Sequence, residues 1–220
     1  VRIDDVRNVL SANDRIAVAN RERFGRWGAY VVNLMSAPGA GKTTILERTL
    51  AGLDGRYRTA VIEGDVRGSY DRDRLRAVAD VPVVQINTEE VYGGECHLDA
   101  LMIGNALENV DLGGTELIVI ENVGNLVCPA EFDVGENCKV MVSSVTEGED
   151  KPLKYPLMYS VCDALLLNKI DLASAVDFDR ETFLANVRAV NPALTIIELS
   201  ARTGQGVATW LTWLEQKLTA

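Results

Sequence analysis

Short apolar runs alternate with segments of helix length along this chain. The runs are Tyr30 to Leu34, Thr59 to Ile62, Val83 to Ile86, Leu117 to Ile120, Lys139 to Val142, Ala164 to Leu167 and Thr195 to Leu199. Nearly continuous apolar stretches, rather than strict apolar–polar alternation, mark strands buried on both faces. Their alternation with helices predicts an α/β fold of three layers: a mostly parallel sheet of about seven strands flanked by helices. Ahead of the first run, Ile3, Val6, Val9 and Leu10 recur at helical spacing, and the pattern continues toward Phe24. That predicts an amphipathic helix over about 3–25, packed on the edge of the sheet. A second helix is expected to close the chain over Gly206 to Leu218.

No repeat or low-complexity tract interrupts this order, and 220 residues suffice for one well-packed core, so a single domain over 1–220 is expected. Candidate loops at Gly64 to Asp73, Thr88 to Glu95, Val123 to Gly135 and Thr146 to Pro156 follow strands, where ligand sites form in α/β folds.

Charge narrows the partners. Lys and Arg number 22 against 32 Asp and Glu, a formal net charge of -10, which repels phosphate polymers, so nucleic acid is not an expected partner. No apolar run approaches the roughly 20 residues needed to span a bilayer, and the opening segment lacks the layout of a signal peptide. A cytoplasmic protein without a membrane partner is expected. In a reducing compartment Cys96, Cys128, Cys138 and Cys162 are expected as thiols, metal ligands or core residues rather than disulfides. The chain starts at Val1 rather than Met, which leaves room for a preceding segment.

Ser36-Ala37-Pro38-Gly39-Ala40-Gly41-Lys42-Thr43-Thr44 follows the first predicted strand and opens a helix. This is the context in which a Walker A pattern is a phosphate cradle, and it makes the predicted fold a P-loop NTPase. Glycines let main-chain N–H groups converge on phosphate oxygens, and the helix N-terminus favours the anion. Lys42 is expected to bridge the β- and γ-phosphates, and Thr43 to place its hydroxyl on Mg2+. Ser36 stands where the usual pattern has Gly; the cradle depends more on Gly39 and Gly41.

Asn168-Lys169-Ile170-Asp171 follows the strand Ala164 to Leu167 and matches the guanine-selecting box of GTPases. Asp171 can accept from guanine N1 and N2, whereas adenine carries an acceptor at N1 and would leave the carboxylate unsatisfied. Ser200-Ala201-Arg202-Thr203 resembles the loop whose main-chain amide reads guanine O6. GTP and GDP are therefore expected in preference to ATP.

The strand Leu117 to Ile120 runs into Glu121-Asn122-Val123-Gly124, which resembles the aspartate-x-x-glycine γ-phosphate switch with glutamate in first place. Glu121 is the candidate for the outer shell of Mg2+. Asp65, ending the second strand, is a further acidic candidate for the metal or for ordering the attacking water. Either carboxylate could instead cap a helix or face solvent. No glutamine stands where it would position water, so slow intrinsic turnover is expected.

Cys96-His97 stands where a loop gives way to a helix, and His97 is the one histidine in the chain. Cys128 lies shortly beyond Glu121. Thiolate and imidazole suit nickel or zinc, and two copies about a two-fold axis could share ions. From the residues alone a second description stands beside this one: Cys96 and Cys128 as small core residues and His97 as a helix cap. Cys138 and Cys162, among apolar neighbours in a strand and a helix, read as structural.

With these residues in place, the sequence resembles the HypB family of GTPases, which help insert nickel into [NiFe] hydrogenase. The resemblance runs from Asn13-Asp14-Arg15-Ile16-Ala17 through Ser36 to Thr44, Cys96-His97-Leu98-Asp99-Ala100, Glu121 to Asp133 and Ser144 to Lys151, as far as the Asn168 box. It implies a metallochaperone GTPase, dimeric on GTP binding, with metal at the subunit interface. Hydrogenase maturation proteins and the hydrogenase large subunit are the implied partners. It also implies that Cys96, His97 and Cys128 are the Ni2+ or Zn2+ ligands. Lys154 matches a family lysine that reaches the nucleotide of the facing subunit, with Lys151 close by as the other candidate. Asn87 to Glu95 is longer than the family's usual run before the Cys-His pair and lacks its lysine, so geometry or metal preference can differ. The Cys-rich and His-rich N-terminal tracts of some members are not among these residues, so storage of many nickel ions is not expected of them. Two other readings remain: a urease- or cobalamin-type accessory GTPase, disfavoured by Leu126-Val127-Cys128-Pro129-Ala130-Glu131, and a nucleotide-gated scaffold that binds metal incidentally.

Overall fold

The computed structural model of the chain describes residues 3–65, 70–88 and 96–219, with side chains placed for 8–65, 74–88 and 96–219. Among these residues seven strands form one sheet: β1 Tyr30–Ser36, β2 Thr59–Asp65, β3 Val83–Asn87, β4 Leu117–Glu121, β5 Cys138–Ser144, β6 Ala164–Asn168 and β7 Thr195–Glu198. Their order is β3-β2-β4-β1-β5-β6-β7 and every pairing is parallel. The expected α/β architecture is the observed one. Helices connect the strands: α1 Ile3–Trp27, α2 Lys42–Leu53, α3 Tyr70–Val78, α4 Ala100–Ala106, α5 Cys128–Glu131, α6 Lys151–Lys154, α7 Pro156–Val161, α8 Arg180–Val190 and α9 Val207–Leu218.

The period-two geometry of strands divides the apolar runs between two faces. Val32, Leu34, Val140, Val142 and Leu166 face Ile45, Leu46 and Leu50 of α2 and Trp210 and Leu214 of α9. On the opposite face Val31, Ile62, Ile118 and Ile120 meet Phe24 of α1 and Met102 and Ile103 of α4. Further along that face, Met141, Leu165 and Leu167 meet Met158, Tyr159, Phe183 and Val187. Phe24 and Val31 are 1% and 0% exposed, so α1 packs on this face, over β1, β4 and β2, and not on the edge of the sheet as its pattern led one to expect. Asparagines fasten it further. Asn13 Nδ2 donates to Asp133 O at 2.7 Å while its Oδ1 accepts from Ala100 N at 2.9 Å, and Asn20 Nδ2 donates to Ala100 O at 2.8 Å.

Three stretches expected as loops carry helix: Gly64 to Asp73 runs into α3 at Tyr70. Val123 to Gly135 contains α5, and Thr146 to Pro156 contains α6, after a 3-10 turn at Val145–Glu147 and before α7. Prolines sit in the first turn of each of α5, α6 and α7, where a fixed φ and missing N–H cost nothing. Residues 66–69 and 89–95, including the lengthened run before Cys96, lie outside the described residues. Cys162 follows α7 rather than lying within it, and is buried, as is Cys138. No helix among the described residues is long and apolar enough to cross a membrane.

Candidate nucleotide and metal sites

The carboxyl ends of β1, β2 and β4 open into a cavity of about 410 Å3 lined by Pro38, Gly39, Gly41, Lys42, Thr43, Thr44, Glu63, Asp65, Arg74, Glu121 and Gly124, among others. The chain can turn here because Gly41 is left-handed, with φ 102°, and lies so close to Asn168 that a Cβ would come within 2.5 Å of its Nδ2. Only glycine meets both demands. Gly124 is constrained by space alone: a Cβ would stand 3.0 Å from the Cα of Pro38, so the β4 loop is pressed onto the phosphate cradle. Lys42 opens α2 and its Nζ donates to Ser36 Oγ at 2.9 Å. The serine that replaces the usual glycine thus holds the lysine across the loop.

Thr43 Oγ1 donates to Glu121 Oε1 at 2.7 Å. Glu121 is 4% exposed, and its register neighbour on β2 is Glu63, 2% exposed. Buried carboxylates need positive charge or donors close by, and Lys42 and Thr43 stand on the same wall. Hydroxyl and carboxylate oxygens are the donor set that suits Mg2+, so Thr43, Asp65 and Glu121 fit that ion. Burial pushes the Glu147 carboxyl above its ordinary range, opposed by Lys151, Lys169 and Lys42.

A second cavity, about 230 Å3, adjoins the first and is lined by Gly41, Thr44, Asn168, Lys169, Asp171, Leu172, Ala201 and Arg202. Asn168 is its keystone: Nδ2 donates to Ala40 O at 2.9 Å and Oδ1 accepts from Ala201 N at 3.0 Å. Lys169, with φ 62°, donates from Nζ to Gly39 O at 2.8 Å. The box therefore ties the phosphate cradle to the Ser200-Ala201 loop, leaving the Asp171 carboxylate on the cavity wall. Ser200 Oγ accepts from Thr203 N at 3.2 Å and closes that loop's turn.

Cys96 Sγ, a ring nitrogen of His97 and Cys128 Sγ all lie within 4.8 Å of one another. Cys96 Sγ donates to Cys128 Sγ at 2.9 Å, and His97 Nδ1 is 3.9 Å from Cys96 Sγ. The His97 ring is buried against Phe132, with centroids 4.1 Å apart. Asn125 holds the other arm: Oδ1 accepts from Val127 N at 2.7 Å, and Nδ2 donates to Cys128 Sγ at 3.6 Å. Burial, then the bond and charge of Cys96, push the Cys128 thiol up to about 11. It keeps its proton at neutral pH until a cation displaces it. Two sulfurs and one imidazole suit a borderline metal such as nickel or zinc.

Lys154 stands apart. It is exposed, its Nζ pairs with Asp150 Oδ2 at 2.5 Å, and it lines neither cavity of its own chain. Conversely, Glu63, Arg74, Asn125 and Phe132 belong to these sites without having been singled out. Arg74 makes a two-point contact with Glu47 at 3.0 and 2.9 Å while lining the phosphate cavity. A basic residue in the middle of the helix after β2 was the available signal.

A model of the CobW/HypB/UreG nucleotide-binding domain matches residues 30–198. The chain belongs to this family. It is 52% identical over 210 residues to the hydrogenase maturation factor HypB of Azotobacter vinelandii, covering 96% of this chain and 68% of that protein. The crystal structure of HypB from Archaeoglobus fulgidus superposes with a TM-score of 0.86 at 40% identity, over 95% of this chain and 100% of that one. HypB from Helicobacter pylori, solved in complex with nickel, gives 0.87 at 35% identity, over 94% and 95% of the two chains. As a CobW/HypB/UreG member the protein is a P-loop GTPase with a metallochaperone role.

Proposed function

We propose that this GTPase delivers nickel during [NiFe] hydrogenase maturation in the cytoplasm, acting as one domain that pairs with a second copy when GTP is bound and carries nickel at the shared face. Lys42 and the main chain of Gly39 to Lys42 hold the phosphates. Asp171 selects guanine, with Asn168 and Lys169 fixing the loops around it and Ser200 and Ala201 closing the base pocket. Thr43, Asp65 and Glu121 are the residues that would hold Mg2+, which supplies charge neutralisation at the phosphates when bound. Cys96, His97 and Cys128 hold the nickel cargo. Lys154, exposed and outside its own cavities, would exchange its surface pairing with Asp150 for the nucleotide of a facing subunit. Hydrogenase maturation proteins and the hydrogenase large subunit are the partners.

The observation that carries this reading is the connection after β4, which starts at Glu121 in the phosphate cavity and ends at Cys128 in the thiol cluster. A change at the γ-phosphate can therefore move a metal ligand. Nickel affinity and particle size, measured with a non-hydrolysable GTP analogue and with GDP, test it. Different affinities and an analogue-dependent dimer are expected; identical values in both states would refute the coupling.

A further inference from the structure

The connection from Glu121 to Cys128 moves only one arm of the thiol cluster. The other arm, Cys96-His97, lies in a different crossover, and the residue that joins it to β4 is Asn122. Asn122 directly follows Glu121 and is 1% exposed. Its Oδ1 accepts from Leu98 N at 3.0 Å and from Val123 N at 2.9 Å, and its Nδ2 donates to Asn33 Oδ1 at 3.2 Å. Its own N–H donates to Leu34 O at 3.0 Å. The side chain thus grips the main chain one residue beyond His97 while its backbone stays in the sheet beside the phosphate cradle.

Leu98 is also fixed from below. It is wholly buried, and a Cβ on Gly64 would come within 2.7 Å of its Cδ1, so it sits directly on β2 between Glu63 and Asp65. The strip carrying Cys96 and His97 is therefore seated on the ends of both acidic strands of the phosphate cavity. Asn122 is its polar fastening to β4. A buried asparagine could merely satisfy a turn, and the Val123 bond alone would do that. The bond to Leu98, 24 residues away in sequence, joins two functional loops instead.

We infer that Asn122 is a positioning residue that carries the state of the phosphate cavity to Cys96 and His97. The inference rests on the nucleotide–metal coupling proposed above. Displacement of the β4 end at Glu121 moves Asn122 Oδ1, and with it the Leu98 N–H and the adjoining His97. Cys128 moves through its own loop, so both arms respond together.

Asn122→Ala and Asn122→Ser in the full chain test it. Serine is the milder change: its hydroxyl can still satisfy the neighbouring Val123 N–H but is too short to reach Leu98 N. Nickel affinity is read from thiolate-to-nickel charge-transfer absorption, once with saturating GDP and once with saturating non-hydrolysable GTP analogue. In the wild type the two affinities are expected to differ by about fivefold or more. Both variants are expected to still take up nickel, with the ratio of the two affinities falling toward one. Wild-type ratios in the variants would overturn the inference while leaving the coupling intact. Loss of nickel uptake in both nucleotide states would also overturn it, since Asn122 would then support the metal site alone. A wild type with equal affinities would overturn the coupling itself and this inference with it. Should the alanine variant fail to fold, the serine variant carries the same comparison.

Discussion

The Thr43 hydroxyl donates to the Glu121 carboxylate at 2.7 Å, so the first turn of α2 and the end of β4 are joined by one short charge-assisted bond. Such bonds are stronger than neutral ones, and this one fixes two oxygens expected to serve the same cation. Glu121→Gln keeps the shape and the acceptor but removes the charge. Single-turnover GTP hydrolysis is expected to fall by roughly a hundredfold, the scale on which lost electrostatic stabilisation acts. GDP affinity should change little. A turnover within twofold of wild type would exclude Glu121 from the chemistry.

Asp171 lines the cavity that the Asn168 box holds open. Asp171→Asn replaces an acceptor with a side chain that also donates. GTP affinity is expected to drop by about a hundredfold because guanine N1 and N2 lose their paired acceptor. Xanthosine triphosphate, whose C2 carbonyl accepts, is expected to bind the variant better than GTP. Calorimetric titration with both nucleotides checks it, and an unchanged preference would move base selection elsewhere.

The fold was legible because strands such as Val31 to Leu34 and Leu165 to Leu167 are buried on both faces, and burial leaves continuous apolar runs. The phosphate cradle was legible because its geometry is local: Gly39, Gly41 and Lys42 are neighbours in sequence as well as in space. The thiol cluster was half legible. Cys96-His97 announces itself by chemistry, but that Cys128 lies 2.9 Å from Cys96 depends on the crossover after β3 passing over the end of β2 to reach β4, in the sheet order β3-β2-β4, which no spacing encodes. Asn122, Asn13 and Asn20 were not legible at all. A buried asparagine holding distant main chain has no periodicity, and its partners are backbone groups that every residue carries. The helices α5 and α6 were missed because four residues are too few to show a helical period.

Asp133 gives a pH dependence with a defined sign. Burial opposes its ionisation, but bonds from Arg21 and from the Gly135 N–H outweigh that and hold its carboxyl below the usual range. A lowered folded value means the ionised form stabilises the fold. That contribution is fully present above the unfolded carboxylate value of about 4 and is lost as pH falls through the folded one. Asp133→Asn is expected to unfold at a lower temperature at neutral pH, with the difference from wild type shrinking as the solution is acidified below about pH 4. A gap in melting temperature that stays constant through this range would mean that Asp133 does not contribute through its charge.

Arg48 supports the base pocket from outside it. Its Nε donates to Ala201 O at 2.8 Å and its Nη2 to Arg202 O at 3.0 Å, so a residue of α2, the helix that begins with Lys42, braces the loop on the far side of the nucleotide. Hydrogen bonds from a charged donor contribute about 1.5–3 kcal/mol when both partners are well placed, but part of this contact is exposed, which lowers the effect. Arg48→Ala is therefore expected to weaken GTP and GDP alike by roughly three- to tenfold through a looser Ser200-Ala201-Arg202 turn, an effect of about 1 kcal/mol. Arg48→Lys should recover only part of the loss, because a single ammonium does not reproduce the two-point geometry of the guanidinium. Equal loss for inosine and guanosine nucleotides would place the defect in the O6 side of the pocket, which both bases share. Titrations showing no change for either variant would mean that the loop holds its shape through Asn168 and Ser200 alone.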